Sequence, residues 1–268
     1  LIFVLNIGSL LISLVDSVPR NSLLLGLSSL FGLSNFFLIG HSTDYFGEAA
    51  EFLAFTHTWS LSVEEQFYFV FPFLIFISNF GSQNKKFNKK LFFTLLSLAI
   101  TSLILYIFFY DSNQSISYFS MPTRFWEMAA GCICFQIYNL RIRKFDISYK
   151  IFPLISIFGI FITLFQSNQF AVLNTIAIVL FTLSLIYFYT PETKTYSLLS
   201  NNKLTFIGRI SYSLYLWHWI IICISRWTIG ISYWSIPIQI IVIYFISYFS
   251  YFYLEQPIRN NKIIFNNK

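Results

Sequence analysis

Charge is the scarcest property of this sequence. Asp, Glu, Lys and Arg make up 10% of the 268 residues, where a soluble domain carries about 25%. That deficit excludes a surface facing water on every side. Cysteine is nearly absent. Cys132, Cys134 and Cys223 all fall inside apolar runs, so they read as small apolar residues and exclude a disulfide framework or a thiolate metal site. Histidine occurs three times. His41-Ser42-Thr43-Asp44 offers only two candidate ligands in one loop, and no metal site is read from it. The net charge of +6 would raise nucleic acid as a partner for a soluble domain. Here the basic residues sit in short clusters between apolar runs, without aromatic interleaving, so they read as membrane topology and not as a nucleic-acid surface. An initiator methionine is missing as well, since Leu1 already lies in an apolar run. The expectation is an N-terminally truncated fragment.

What is abundant is apolar and aromatic. Hydrophobic residues reach 56%, with 34 Phe and 17 Tyr, and the mean hydropathy is +0.67. Phe suits lipid-facing helix surfaces, and Tyr and Trp suit the interface. The predicted fold is an all-α, polytopic transmembrane helix bundle. A span needs roughly 20 apolar residues, which gives about nine: 1–15, 21–40, 58–78, 91–110, 122–140, 151–167, 170–189, 205–225 and 233–254. Residues 1–260 read as one membrane domain and 261–268 as a polar cytoplasmic tail. The short turn Gln166-Ser167-Asn168-Gln169 predicts a helical hairpin.

The connections alternate in charge. Lys85, Lys86, Lys89 and Lys90 fill one loop, and Arg141, Arg143, Lys144 and Lys150 fill the second loop after it. Lys194 and Lys203 follow at the same parity, then Arg259, Lys262 and Lys268. Asp44, Glu48, Glu51 and Asp111 lie at the opposite parity. Lys and Arg favour the cytoplasmic side, which places the 41–57 loop outside a plasma (inner) membrane crossed several times.

Ionisable groups in membrane spans are costly and usually face a bundle interior or a watery cavity. The first cluster is His57-Thr58-Trp59-Ser60-Leu61-Ser62-Val63-Glu64-Glu65-Gln66-Phe67-Tyr68. Glu64 and Tyr68 share a helix face. Ser62-x-x-Glu65 has the form of a capping box, which would account for one carboxylate but not for two followed by Gln66. Pro72 is expected to kink the helix below. In Arg124-Phe125-Trp126-Glu127, the charges are three apart and can pair as an interface anchor, or the guanidinium can hold a phosphate or carboxylate. In Gly208-Arg209-Ile210-Ser211-Tyr212-Ser213-Leu214-Tyr215-Leu216-Trp217-His218-Trp219, the residues Ser211, Tyr215 and His218 line one face, and Arg209 can snorkel. In Tyr253-Leu254-Glu255-Gln256-Pro257, Pro257 is expected to stop the last helix. Glu255 opposes the dipole there, so a partner such as Arg209 or Arg259 is expected. Gly32-Leu33-Ser34 has the Gly-x-Ser opening of intramembrane serine proteases, but Asn35 stands where that family has Gly.

These four clusters, in this order, resemble the bacterial membrane-bound acyltransferase 3 family. The run His57–Tyr68 is similar to that family's most recognisable motif. Arg124-Phe125-Trp126-Glu127 with Gly131 resembles its R-F-W-E-x-x-x-G segment, and Gly208 to His218 resembles G-x-x-S-Y-x-x-Y-L-x-H. Glu255-Gln256-Pro257 resembles its closing E-x-P. The resemblance implies transfer of an acetyl or other short acyl group from acetyl-CoA, the donor substrate, with no bound cofactor. The implied acceptor is an extracytoplasmic carbohydrate such as O-antigen, exopolysaccharide or peptidoglycan. It implies His57, Glu64 and Glu65 as catalytic residues. Trp59, Ser60, Gln66, Tyr68, Arg124, Glu127, Arg209, Ser211, Tyr215, His218 and Glu255 become substrate- or donor-binding candidates. The family's essential first-helix histidine and its arginine-rich motif are not matched here, and some members continue into an SGNH-type hydrolase domain or partner. Composition and topology alone fit two other classes equally: a glycolipid carrier or flippase, and a non-catalytic scaffold.

Overall fold

The computed structural model describes residues 20–41, 52–79, 88–139, 150–167 and 170–260. Among them the chain is helical, without strands. The helices are α1 (Arg20–Leu30), α2 (Ser34–Gly40), a 3₁₀ turn (Thr56–Thr58), α3 (Trp59–Ile77), α4 (Lys89–Ser112), α5 (Gln114–Phe119) and α6 (Met121–Asn139). Then come α7 (Phe152–Leu164), α8 (Ala171–Phe188), α9 (Lys194–Leu199), α10 (Asn202–Thr228), α11 (Ser235–Ser250), a π-helical turn (Tyr251–Glu255) and α12 (Gln256–Arg259). They form two compact units. The first comprises the chain up to Ser62 and from Asn202 onward, and the second runs from Val63 to Asn201.

In the first unit, α1 and α2 replace the single span expected at 21–40. Gly32 adopts φ +65°, which only glycine does without steric cost. Leu33 N–H reaches the Ser28 carbonyl and Gly32 N–H the Ser29 carbonyl, the Schellman pattern that ends a helix. A sequence window averages over such a break. Behind these helices the segment Leu53–Thr58 is sealed, each residue at 8% exposure or less. A seam of hydroxyls ties it down, because buried backbone must find partners in an apolar setting. Ser22 Oγ accepts from Ala54 N–H at 3.3 Å, Ser29 Oγ lies 2.6 Å from Thr58 Oγ1, and Ser34 Oγ lies 2.7 Å from Ser62 Oγ. Gly26 lets the Phe55 ring approach so closely that a Cβ there would sit 2.8 Å from it.

The turn between α10 and α11 is closed by Gly230, at φ +73°, whose N–H bonds the Ser225 carbonyl at 2.7 Å. Gln239 Nε2 donates to Ser225 Oγ at 2.7 Å and Ser235 Oγ at 3.2 Å. Pro257 does not stop the last helix as expected. A proline ring crowds the carbonyl four residues earlier and offers no N–H. The chain instead widens into the π-turn at Tyr251–Glu255 and continues to Arg259.

In the second unit, α3, α4 and α6 meet over Phe67, Leu91, Leu95, Phe125 and Ala129. Asn88 starts α4 by accepting from Leu91 N–H at 3.0 Å, a side-chain N-cap. The expected hairpin is present as α7 packed on α8. Gly159 makes room for the Phe181 ring, which would stand 2.5 Å from a Cβ at that position.

Among the described residues, five helical segments are long and apolar enough to cross a membrane: Thr56–Ile77, Lys89–Ser112, Ala171–Phe188, Asn202–Thr228 and Ser235–Arg259. The chain is thus a multi-pass membrane protein, but the expected count of about nine is not reproduced. The 21–40 span is broken at Gly32. Helix α7 has 13 residues, about 20 Å against a hydrocarbon core of about 30 Å. Helix α6 is diluted by polar residues. The expected span at 1–15, the tail at 261–268 and the charged loop residues Asp44, Glu48, Glu51, Lys85, Lys86, Arg141, Arg143 and Lys144 lie outside the described residues.

Candidate active site

The first unit gathers four of the sequence candidates around one point. His57 lies in the 3₁₀ turn that opens α3, with its side chain sealed at 3% residue exposure. Tyr215 and His218 project from α10, three residues apart and so on neighbouring positions of one face. The His57 ring lies 5.3 Å from the Tyr215 ring and 5.4 Å from the His218 ring, both edge-on. Tyr215 donates its hydroxyl proton to the His57 carbonyl. A phenol has one proton, so Ser60 is the donor in the 2.6 Å contact between its Oγ and the Tyr215 oxygen. Trp219 Nε1 donates to the Leu53 carbonyl at 2.9 Å. Two side-chain contacts therefore fix the sealed segment against α10, and Ser60 adds a third just beyond it. Neither His57 ring nitrogen has a hydrogen-bond partner of ordinary geometry, although one of them always carries a proton or both do.

Ser211 was expected on the same face but is exposed. Ser213 is the inward serine of this helix. Its Oγ donates to Glu255 Oε2 at 3.0 Å, and Arg259 stands 3.6 Å from Glu255 Oε1. Of the two partners expected for Glu255, Arg259 is the one found. Arg209 is exposed near the start of α10. Neither Ser213 nor Trp219 was singled out from sequence. The four-then-three spacing to Tyr215 and His218 selects Ser211 and passes over Ser213, and the π-turn that aims Glu255 leaves no mark in a helical pattern.

The capping box expected at Ser62 and Glu65 does not form. Helix α3 begins at Trp59, so Ser62 is already inside it, and its Oγ accepts from Ser34 N–H at 3.2 Å. Glu64 and Glu65 are consecutive exposed carboxylates in the second turn, followed by half-buried Gln66 and exposed Tyr68. A cap explains neither acid.

In the second unit, Arg124 is held on every side. Its residue exposure is 7%, its Nη1 meets Glu127 Oε1 at 2.5 Å, and its Nε donates to the Tyr118 carbonyl at 3.2 Å. The guanidinium stacks over the Tyr118 and Tyr106 rings at 4.6 and 5.0 Å, an arrangement that suits Arg and not Lys. It is a pinned pair inside the helix packing. Beside it, α4, α6 and α8 border an open apolar groove of about 530 Å³ lined by Leu103, Trp126, Ile133, Cys134, Leu183 and Tyr187, among others. No group of three or more potential metal ligands occurs among the described residues.

Comparison with known proteins adds an independent line. The profile of a family described as an acyltransferase domain matches residues 1–255. The O-acetyltransferase OatA of Staphylococcus aureus strain NCTC 8325 is 32% identical over 247 residues, covering 87% of this chain and 40% of that protein. The same figures hold for OatA of strain COL. A further chain of strain COL, named as a candidate O-acetyltransferase, is 29% identical over 253 residues, covering 88% of this chain and 41% of its own length. The chain thus spans about 40% of the length of these relatives. No solved structure matches it.

Proposed function

The chain belongs to the acyltransferase 3 family, and on that basis we propose that it is the membrane part of an O-acetyltransferase acting on a cell-envelope polymer. The donor in this reading is acetyl-CoA, presented from the cytoplasm. The acceptor is the hydroxyl of an extracytoplasmic carbohydrate, and the protein resides in the plasma (inner) membrane. An SGNH-type domain or partner protein is a fitting recipient of the acyl group where the acceptor lies farther out. The observation that carries the reading is the clustering of His57, Ser60, Tyr215 and His218 from two motifs more than 150 residues apart.

Acyl transfer needs a group that accepts the acceptor's proton, donors for the developing oxyanion, and a setting that excludes water. The buried imidazole of His57 and its hydroxyl neighbours supply polar groups in an otherwise sealed segment. Glu64 and Glu65 are assigned as supporting carboxylates, with Trp59, Gln66 and Tyr68 as contacts along the same helix. Arg209 and Ser211 are assigned to donor or solvent contacts at exposed positions. Arg124 with Glu127, and Glu255 with Ser213, are assigned to holding their helices in register.

The test is transfer of labelled acetyl from acetyl-CoA to the envelope glycan fraction by membranes expressing the protein in its full gene context. His57→Ala, Glu64→Gln and Glu65→Gln are measured beside the wild type. Label that appears with the wild type and drops about 10²–10⁴-fold with His57→Ala, the range of a lost proton-transfer group, supports the reading. A well-folded wild type that labels no glycan refutes it.

A further inference from the structure

We infer that the pocket between α3, α4 and α6 in the second unit binds an anionic glycerophospholipid of the cytoplasmic leaflet, with one acyl chain in the pocket and the phosphate at Lys89 and Lys90. The inference is independent of the acyl-transfer reading and uses no residue assigned there.

Three helix ends make the pocket. Phe71 and Ile75 come from α3, Leu91 and Leu95 from α4, and Cys132 and Phe135 from α6, around a half-open space of about 290 Å³. Gln136 completes the lining, at 2% residue exposure. Its Oε1 accepts from Asn88 N–H at 3.3 Å. Its Nε2 is buried without a hydrogen-bond partner among the described residues. An amide nitrogen left unpaired in an apolar setting is costly. A buried water needs several polar partners, and the walls around this amide are apolar. An apolar body carrying one hydrogen-bond acceptor fits instead. The head of an ester-linked acyl chain is such a group, with its carbonyl accepting from Gln136 Nε2.

Position and charge name the lipid. Gln136 meets the backbone of Asn88, the N-cap of α4. Leu91 and Leu95 lie about one and two turns deeper along that helix. Lys89 and Lys90 stand between the cap and Leu91, and lysine side chains reach from such positions toward the membrane surface. Lys90 Nζ donates to the Ile77 carbonyl at 2.8 Å, two residues beyond Ile75, so its ammonium is held at the α3 side of the pocket. Neither lysine meets a carboxylate among the described residues. The charge parity of the loops puts this end at the cytoplasmic face, where lysines near the surface attract anionic lipids. Cation, amide donor and apolar wall thus follow one another in the order of phosphate, ester and chain.

Gly131 supplies the blocking variant. It lines the pocket, and a Cβ there meets nothing within 4 Å, so Gly131→Leu grows into the free space. The full chain is placed in phosphatidylcholine nanodiscs doped with a phosphatidylglycerol that carries a diazirine high on one chain. After illumination, cross-linked peptides are read by mass spectrometry. We expect label to concentrate at residues 71–75 and 131–136, and unlabelled phosphatidylglycerol to displace it better than phosphatidylcholine does. Gly131→Leu should lose the label with an unchanged size-exclusion profile. Lys89→Gln and Lys90→Gln should each weaken competition by phosphatidylglycerol about fivefold. Gln136→Met keeps the side chain's length, deletes Nε2 and should weaken it about threefold. Label spread evenly onto the exposed Phe69, Phe73 and Phe76, or label undiminished in folded Gly131→Leu, would overturn the inference. Equal displacement by phosphatidylcholine, or displacement by acetyl-CoA, would overturn it too, the second by giving the pocket to a soluble donor.

Discussion

Removing a single oxygen from Tyr215 is the sharpest probe of the site. Tyr215→Phe keeps the ring, its packing and its edge contact with His57. It deletes the hydroxyl that donates to the His57 carbonyl and accepts from Ser60. Each hydrogen bond is worth about 0.5–1.5 kcal/mol net in soluble proteins, and side-chain bonds inside membrane proteins average about 0.6, with a maximum near 1.7. The His57 carbonyl is then left in a sealed segment without that partner. We expect a loss of about 1–2 kcal/mol in the hold on residues 53–58, which is about a factor of 5–30 in the population of the ordered arrangement. The remaining ties, Trp219 to the Leu53 carbonyl and the Ser29–Thr58 contact, should keep the protein folded. The assay is acetyl transfer in membranes, with kcat and the KM for acetyl-CoA measured separately. The expected result is a kcat lowered by about that factor, with an unchanged KM and an unchanged size-exclusion profile in detergent. A kcat within about twofold of wild type would show that the hydroxyl does not position His57. A broad aggregated profile would show that it holds the fold.

Other outcomes follow from the packing. Gly26→Ala forces a Cβ against the buried Phe55 ring. It should cost about 1–3 kcal/mol and lower acetyl transfer through the neighbouring His57, as read by thermal unfolding and activity together; an unchanged melting temperature contradicts it. Gly159→Ala overpacks Phe181 in the α7–α8 hairpin and should lower stability similarly while leaving the first unit's chemistry intact, so specific activity per folded protein should hold. Arg124→Lys loses the planar stack on Tyr106 and Tyr118 and should destabilise the second unit by about 1–2 kcal/mol, measured in detergent; stability equal to wild type refutes the pinned-pair description. A cysteine at Tyr233, which is 92% exposed, should react with a membrane-impermeant maleimide from outside intact cells once Cys132, Cys134 and Cys223 are replaced. Labelling only after lysis would reverse the topology.

Much of the fold was legible because lipid demands long apolar helices, and composition reports that demand directly. The pairing of α7 with α8 and the spans at 58–78, 91–110, 170–189, 205–225 and 233–254 correspond to structured helices. The misses have local causes. Residues 21–40 are apolar throughout, so only the left-handed backbone at Gly32 reveals that they are two helices. Ser62 carries a capping signature, but the 3₁₀ turn advances the helix start to Trp59 and turns that serine toward Ser34. The site was half legible. His57, Tyr215 and His218 were named from motifs, yet their convergence depends on a buried segment ending in a 3₁₀ turn, most of which a charge-parity argument assigns to an outer loop. Ser213 and Trp219 carry no charge and sit among aromatics, so nothing in the sequence distinguishes them from packing residues.

The π-turn at Tyr251–Glu255 has a consequence for how this helix can change over time. It places one surplus residue in the helix without breaking it, so everything downstream is turned by about 100° relative to an uninterrupted α-helix. Deleting one residue there would restore a regular helix and swing Glu255 off Ser213 while leaving every amino acid of the acidic motif in place. A motif search would score such a chain as intact, although its carboxylate would face elsewhere. At this point the phase of the helix, and not its lettering, is what inheritance has to preserve.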